Sequence, residues 1–97
     1  MIISKTLNGT EAAIAVEGRL DTTSSPDLEK EIQCLTEAKS LTLDLAKLEY
    51  ISSAGLRVLL SAHKNFATKN GMTIINVGDA IIDIFEITGF KDILNIK

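Results

Sequence analysis

The sequence predicts an α/β domain, with a mixed sheet of four to five strands and helices mainly on one face. Three observations carry this expectation. Short apolar runs alternate with longer amphipathic runs along all 97 residues. Two strand-like runs meet at Asn8-Gly9, a strong hairpin signal. The run LTLDL, Leu41 to Leu45, alternates apolar with polar residues, so one sheet face should be covered and the other partly open. No repeat, low-complexity segment or linker interrupts the pattern, and residues 1–97 read as a single domain.

The first two strands are IISKTL and AAIAVEG, joined through NGTE as a hairpin with a slightly long loop. In RLDTTSSPDLEKEIQCLTEAK, Ser25 before Pro26 reads as an N-cap followed by proline at the first helical position. Asp27 and Glu29 suit the positive end of that helix. Leu28, Ile32 and Leu35 recur at i, i+4 and i+7 as its apolar stripe, and Cys34 lies off the stripe. In the next strand Leu41, Leu43 and Leu45 face the core. AGLRVLLSAHKNFATKNG is helical: Leu56, Leu59, Leu60, His63, Phe66 and Ala67 share a broad face, and Asn70-Gly71 closes it. MTIINV is a further strand. Asp79 caps AIIDIFEIT, Gly89 ends it, and FKDILNIK adds a last short extended piece. The order is ββαβαβα, and the helical crossovers make the later strand neighbours parallel, with right-handed connections.

Composition narrows the function. Ten basic against thirteen acidic residues give a net charge of -3, and the basic residues are scattered. A nucleic-acid surface needs clustered Lys and Arg, and four aromatic residues make a poor stacking platform, so no nucleic-acid partner is expected. The single cysteine, Cys34, excludes an internal disulfide and suits a reducing cytosol. No apolar run reaches the length of a membrane span. The start MIISKTLNGTE lacks the basic and long apolar regions of a secretory signal, so the expected location is cytoplasmic. With no sustained heptad pattern, the free protein is expected to be a monomer.

Catalytic constellations are absent. One His and one Cys, far apart, cannot supply a zinc ligand set, and no glycine-rich phosphate loop occurs, so no cofactor is expected. Asp79 and Asp83 read as a cap and a solvated helix face. Ser53 lies at a strand-to-helix turn, but a nucleophile elbow needs glycine two residues earlier, where Ile51 stands. The only histidine, His63, falls on the same helix, about 15 Å away at 1.5 Å per residue, and cannot be its base.

The junction ISSAGL carries a different signal. Ser52 or Ser53 suits an N-cap. Gly55 in the first turn has no such explanation, because glycine inside a helix costs about 1 kcal/mol relative to alanine. Ser52, Ser53, Ala54 and Gly55 together form a low platform at the positive end of a helix, open to a docking partner and to an anion, including a phosphate carried on serine.

LTLDLAKLEYISSAGLRVLLSAHK resembles the core motif of STAS domains, specifically the anti-sigma factor antagonists of bacterial partner-switching systems. VEGRLDTTSSPDLEKEI is similar to the family's second strand and first helix, and FEITGFKDILNI to its third-helix segment. The resemblance spans nearly the whole chain in the right order. It implies a serine at the start of the second helix that is phosphorylated by an anti-sigma factor acting as a serine protein kinase, and reset by a separate serine phosphatase. Matched along the motif, that serine is Ser53, followed by Gly55 and Leu56 of the docking surface. The family often has Asp where this chain has Ser52, and Ser or Thr where it has Ala54, so Ser52 is a second conceivable acceptor. The resemblance also implies that Asp21 lies in a loop beside the serine and belongs to the kinase interface; a plain loop carboxylate is the other reading. Asp44 matches a strand-end Asp, for which a turn or cap hydrogen bond is the preferred role. Many members continue into a C-terminal helix, whereas this chain stops at Lys97. Two rival readings stand beside this one: an unswitched STAS subunit docked on a membrane transporter's ATPase, and a nucleotide-binding sensor, which the missing phosphate loop disfavours.

Overall fold

The computed structural model describes residues 1–97. Its elements are β1 (Ile2–Asn8), β2 (Glu11–Leu20), α1 (Ser25–Gln33), β3 (Ser40–Ile51), α2 (Ser53–Ala67), β4 (Gly71–Ile75) and α3 (Asp79–Thr88), followed by a 3-10 turn at Phe90–Asp92. This is the expected ββαβαβα order. The sheet runs β1-β2-β3-β4, with β1 antiparallel to β2 and both later pairs parallel.

Strand alternation sets the two faces. Ala12, Ile14 and Val16 of β2, Leu41, Leu43 and Leu45 of β3, and Met72 and Ile74 of β4 are buried under the helices. The residues between them are not: Ala13 and Ala15 are exposed, and Thr42, Asp44 and Thr73 are half-buried. The helices therefore cover one face, as the alternation in LTLDL requires. Leu28 and Ile32 of α1, Leu59 and Phe66 of α2, and Ile81 and Phe85 of α3 complete one cluster of 23 buried apolar residues. Each buried aliphatic or aromatic side chain contributes roughly 1.5–3 kcal/mol, and this cluster is what holds the helices to the sheet.

Several boundaries differ from the sequence expectation, each for a physical reason. The hairpin loop is not long: Asn8 pairs with Glu11, leaving Gly9-Thr10 as a two-residue turn. The cap of α1 is Ser24 rather than Ser25, which is buried inside the first turn with Pro26 after it. Leu35 is buried but lies beyond the end of α1. On α2, Leu60 and His63 are half-buried flank residues and Ala67 is exposed, while Val58 and Ala62 join the core. That helix ends at Ala67, and Asn70-Gly71 instead forms the turn into β4, tied down by Asn70 N–H donating to Lys39 O at 2.8 Å. Gly78 caps α3 and Asp79 is its first residue, without a side-chain cap bond. Gly89 does end α3, in the left-handed conformation at φ 81° that favours glycine. The last extended piece shrinks to one bridge, Ile96 beside Ile74, with Ile74 N–H donating to Asn95 O and Lys97 N–H to Ile74 O, each at 2.9 Å.

The largest difference is β3, which continues to Ile51 instead of stopping at Leu45. Two register shifts against β2 insert extra residues, between Ala15 and Glu17 and between Gly18 and Arg19. Asp44 Oδ1 accepts the Ala46 N–H at 2.9 Å, satisfying a donor at the first irregularity. This extension delivers the chain to the start of α2 at the same end of the sheet as the end of β2.

Candidate functional site at the start of α2

Two strand ends build the site. Ser52 N–H donates to Leu20 O at 2.8 Å, which fixes the α2 start directly beside the loop that begins at Asp21. Ser52 is the N-cap: its backbone is extended, at φ -94° and ψ 176°, and its hydroxyl accepts the Gly55 N–H at 3.3 Å. The first α-helical bond runs from Leu56 N–H to Ser52 O at 2.9 Å. Ser53 is thus the first residue of α2, exposed, with no hydrogen-bond partner for its hydroxyl within the chain. As the first residue of a 15-residue helix it lies at the helix's positive end, where negative charge is favoured.

Gly55 has a different role from the one expected. A side chain there would put Cβ 2.8 Å from Ile51 Cγ1, 2.9 Å from Leu20 Cγ and 2.9 Å from Leu20 O. The missing side chain therefore admits the molecule's own sheet, not a partner. Leu56 is likewise a core residue, 7% exposed. Gly55 and Leu56 therefore pack inwards, and Ser52, Ser53 and Ala54 are the accessible residues at the start of α2.

Asp21 opens the neighbouring loop. Its Oδ1 accepts from Thr23 N–H and Ser24 N–H, each at 3.0 Å, and lies 3.1 Å from Ser24 Oγ. The Ser24 hydroxyl donates to Arg19 O at 2.7 Å and accepts from Asp21 N–H at 2.9 Å. The Ser25 hydroxyl donates to Asp21 O. The Ser24 backbone N–H, then the Ser24 hydroxyl, the Thr23 N–H and the Arg19 charge hold the Asp21 carboxyl below its usual range against a partial desolvation. Asp21 is therefore an organised loop carboxylate at the Ser53 end of the sheet. Asp44, in contrast, accepts from Ala46 N–H and from Asn76 Nδ2 at 3.2 Å, the structural role preferred for it.

The family model of the STAS domain matches residues 2–97. The chain belongs to the STAS domain family. Among STAS relatives, the anti-sigma-B factor antagonist of Listeria monocytogenes is 31% identical over 87 residues, covering 87% of this chain and 76% of that protein. The anti-sigma-B factor antagonist of Bacillus subtilis is 30% identical over 92 residues, covering 93% and 84%. The fold matches a crystal structure of an anti-sigma factor antagonist from Mycobacterium paratuberculosis at TM-score 0.87, with 21% identity and coverage of 98% and 83%. It also matches the phosphorylated form of the Bacillus cell fate determinant SpoIIAA at TM-score 0.77, with 13% identity and coverage of 99% and 91%.

Two features of this STAS site escaped the sequence reading. Arg57 lines a groove between the starts of α1 and α2, together with Thr22, Pro26, Glu29, Ala54 and Ser61. Its spacing of four from Ser53 was available in the sequence as a signal. Arg19 stacks on the Tyr50 ring, 4.3 Å from its centroid, at the ends of β2 and β3. That pair depends on the cross-strand register after two irregularities, which no local pattern reveals. His63 lies about 15 Å along α2 from Ser53 and supplies no base to it.

Proposed function

We propose that this STAS protein is an anti-sigma factor antagonist that works by partner switching in the cytoplasm, as a binding protein rather than an enzyme. Its unphosphorylated form docks on an anti-sigma factor that is also a serine kinase, and frees a sigma factor. Phosphorylation of Ser53 ends the binding, and a serine phosphatase restores it. The observation that carries the reading is Ser53 itself: an exposed hydroxyl without an internal partner at the first position of α2, while adjacent Ser52 supplies the cap. The names of the curated relatives support the antagonist role.

In the transfer step, Ser53 Oγ forms a bond to the γ-phosphorus of a nucleoside triphosphate held by the kinase. The bond to the nucleoside diphosphate breaks, and the hydroxyl proton passes to a base on the kinase. The product adds about -1.5 to -2 charge, moving the net charge from -3 to about -5. At a packed interface that charge must be desolvated without a partner, which is strongly unfavourable, so no refolding is required to end binding.

The test is titration of Ser53→Ala and Ser53→Asp against the anti-sigma kinase recovered on the unphosphorylated protein. Alanine should bind like the natural chain. Aspartate should bind about 10- to 100-fold more weakly, because it buries an unpaired charge. Equal affinities would overturn the switch and leave an unswitched docking subunit.

A further inference from the structure

Arg57 follows Ser53 by four residues on α2, so the two side chains are neighbours on the helix surface. Both are exposed. Arg57 has no ion-pair partner; the salt bridges of the chain are Lys5–Glu31 and Lys91–Glu86. Glu29, across the groove from Arg57, is the competing carboxylate, yet the two form no ion pair. Ala54 and Ser61, both small, line the same groove as Arg57. From Ser52 to His63, Arg57 is the one Lys or Arg. Arg19, a second arginine at this end of the sheet, is stacked on Tyr50.

We infer that Arg57 receives the phosphate of Ser53, closing a phosphoserine–arginine clamp across one turn of α2. The inference rests on the switching function above and adds how the phosphorylated state is held. A phosphoserine presents three acceptor oxygens, and a guanidinium presents a planar fork of donors that meets two of them. The free amides of the first turn lie on the other side of the phosphate. The clamp gives the modification a double action. It adds an anion to the docking surface, and it withdraws the one cation that α2 offers there. In the unphosphorylated protein Arg57 is free to meet a carboxylate of the partner; after phosphorylation it is engaged within its own helix.

The test installs phosphoserine at position 53 by genetic encoding, so no kinase is involved. Its 31P resonance is then followed through a pH titration in the natural background, in Arg57→Gln and in Arg57→Lys. The second phosphate pKa should lie about 0.5–1 unit lower with arginine than with glutamine, a shift at the modest end because the pair is solvent-exposed. Lysine should recover part of the shift, since it keeps the charge without the fork. In the natural background the Arg57 Nε–H resonance should move with the same midpoint as the phosphate. A phosphate pKa unchanged by Arg57→Gln would overturn the clamp. A flat Nε–H resonance would overturn it too, even if the glutamine variant folded poorly. Either result leaves the Ser53 switch standing. Failure of the switch, shown by equal binding of the Ser53 variants, would leave the titration result intact.

Discussion

Two helices of this protein begin with a serine pair, and the pairs are used in opposite ways. At α1, both hydroxyls are engaged: Ser24 bonds Arg19 O and Asp21 N–H, and buried Ser25 donates to Asp21 O. At α2, Ser52 accepts the Gly55 N–H, but the Ser53 hydroxyl is left to solvent. The same dipeptide thus gives a closed corner in one place and an open hydroxyl in the other. The difference lies in what precedes each pair. A loop turning on Asp21 wraps the first pair, whereas an extended strand running straight into the helix presents the second. At α2 one serine meets the local backbone's needs and the next is surplus.

The comparison breaks most severely if α2 loses its seat on the sheet. Gly55→Ala forces a methyl group into Leu20 and Ile51. We expect destabilisation of about 1–3 kcal/mol, which lowers Tm by about 4 °C or more in a domain of this size. Unchanged thermal unfolding would mean that the α2 start is not held as described.

An alanine series sharpens the contrast between the serines. Ser25→Ala should cost about 1 kcal/mol through its lost buried bond, and Ser52→Ala about 1 kcal/mol through its lost cap. Ser52→Asp should keep stability, because aspartate caps equally well. Ser53→Ala should stay within about 0.5 kcal/mol, as for an ordinary surface position. Denaturant unfolding of the four variants checks the order, and a large loss for Ser53→Ala would show that its hydroxyl is structural.

The smallest effect is the acid dependence of the Asp21 loop. Its folded pKa is depressed, chiefly by the Ser24 N–H. The stabilisation is therefore fully present above the ordinary carboxylate value near 3.9 and is lost as pH falls through the lower folded value. Comparing Tm for the natural chain and Asp21→Asn should show a gap above about pH 4 that closes on further acidification. A gap constant with pH would remove the carboxylate charge from the account.

Much of the fold was legible because its periods are clean. LTLDL gives the covered face, and Leu28 and Ile32 give the inner stripe of α1. The second half of β3 was not legible, because its buried residues Leu45, Leu48 and Ile51 fall three apart. That spacing results from the extra residues at the register shifts, and it matches neither strand nor helix. At the site, Ser53 and its position were readable from the motif, but the division of labour with Ser52 needed the backbone geometry. Gly55 misled because a sequence shows that a side chain is missing, not which surface fills the space.

The most direct test is phosphosite mapping by tandem mass spectrometry of the protein isolated from its native cells, with phosphatase inhibited. The serine-pair account predicts phosphate on Ser53, with Ser24, Ser25 and Ser52 unmodified. Phosphate on any of those three in place of Ser53, or none on the chain at all, would contradict it.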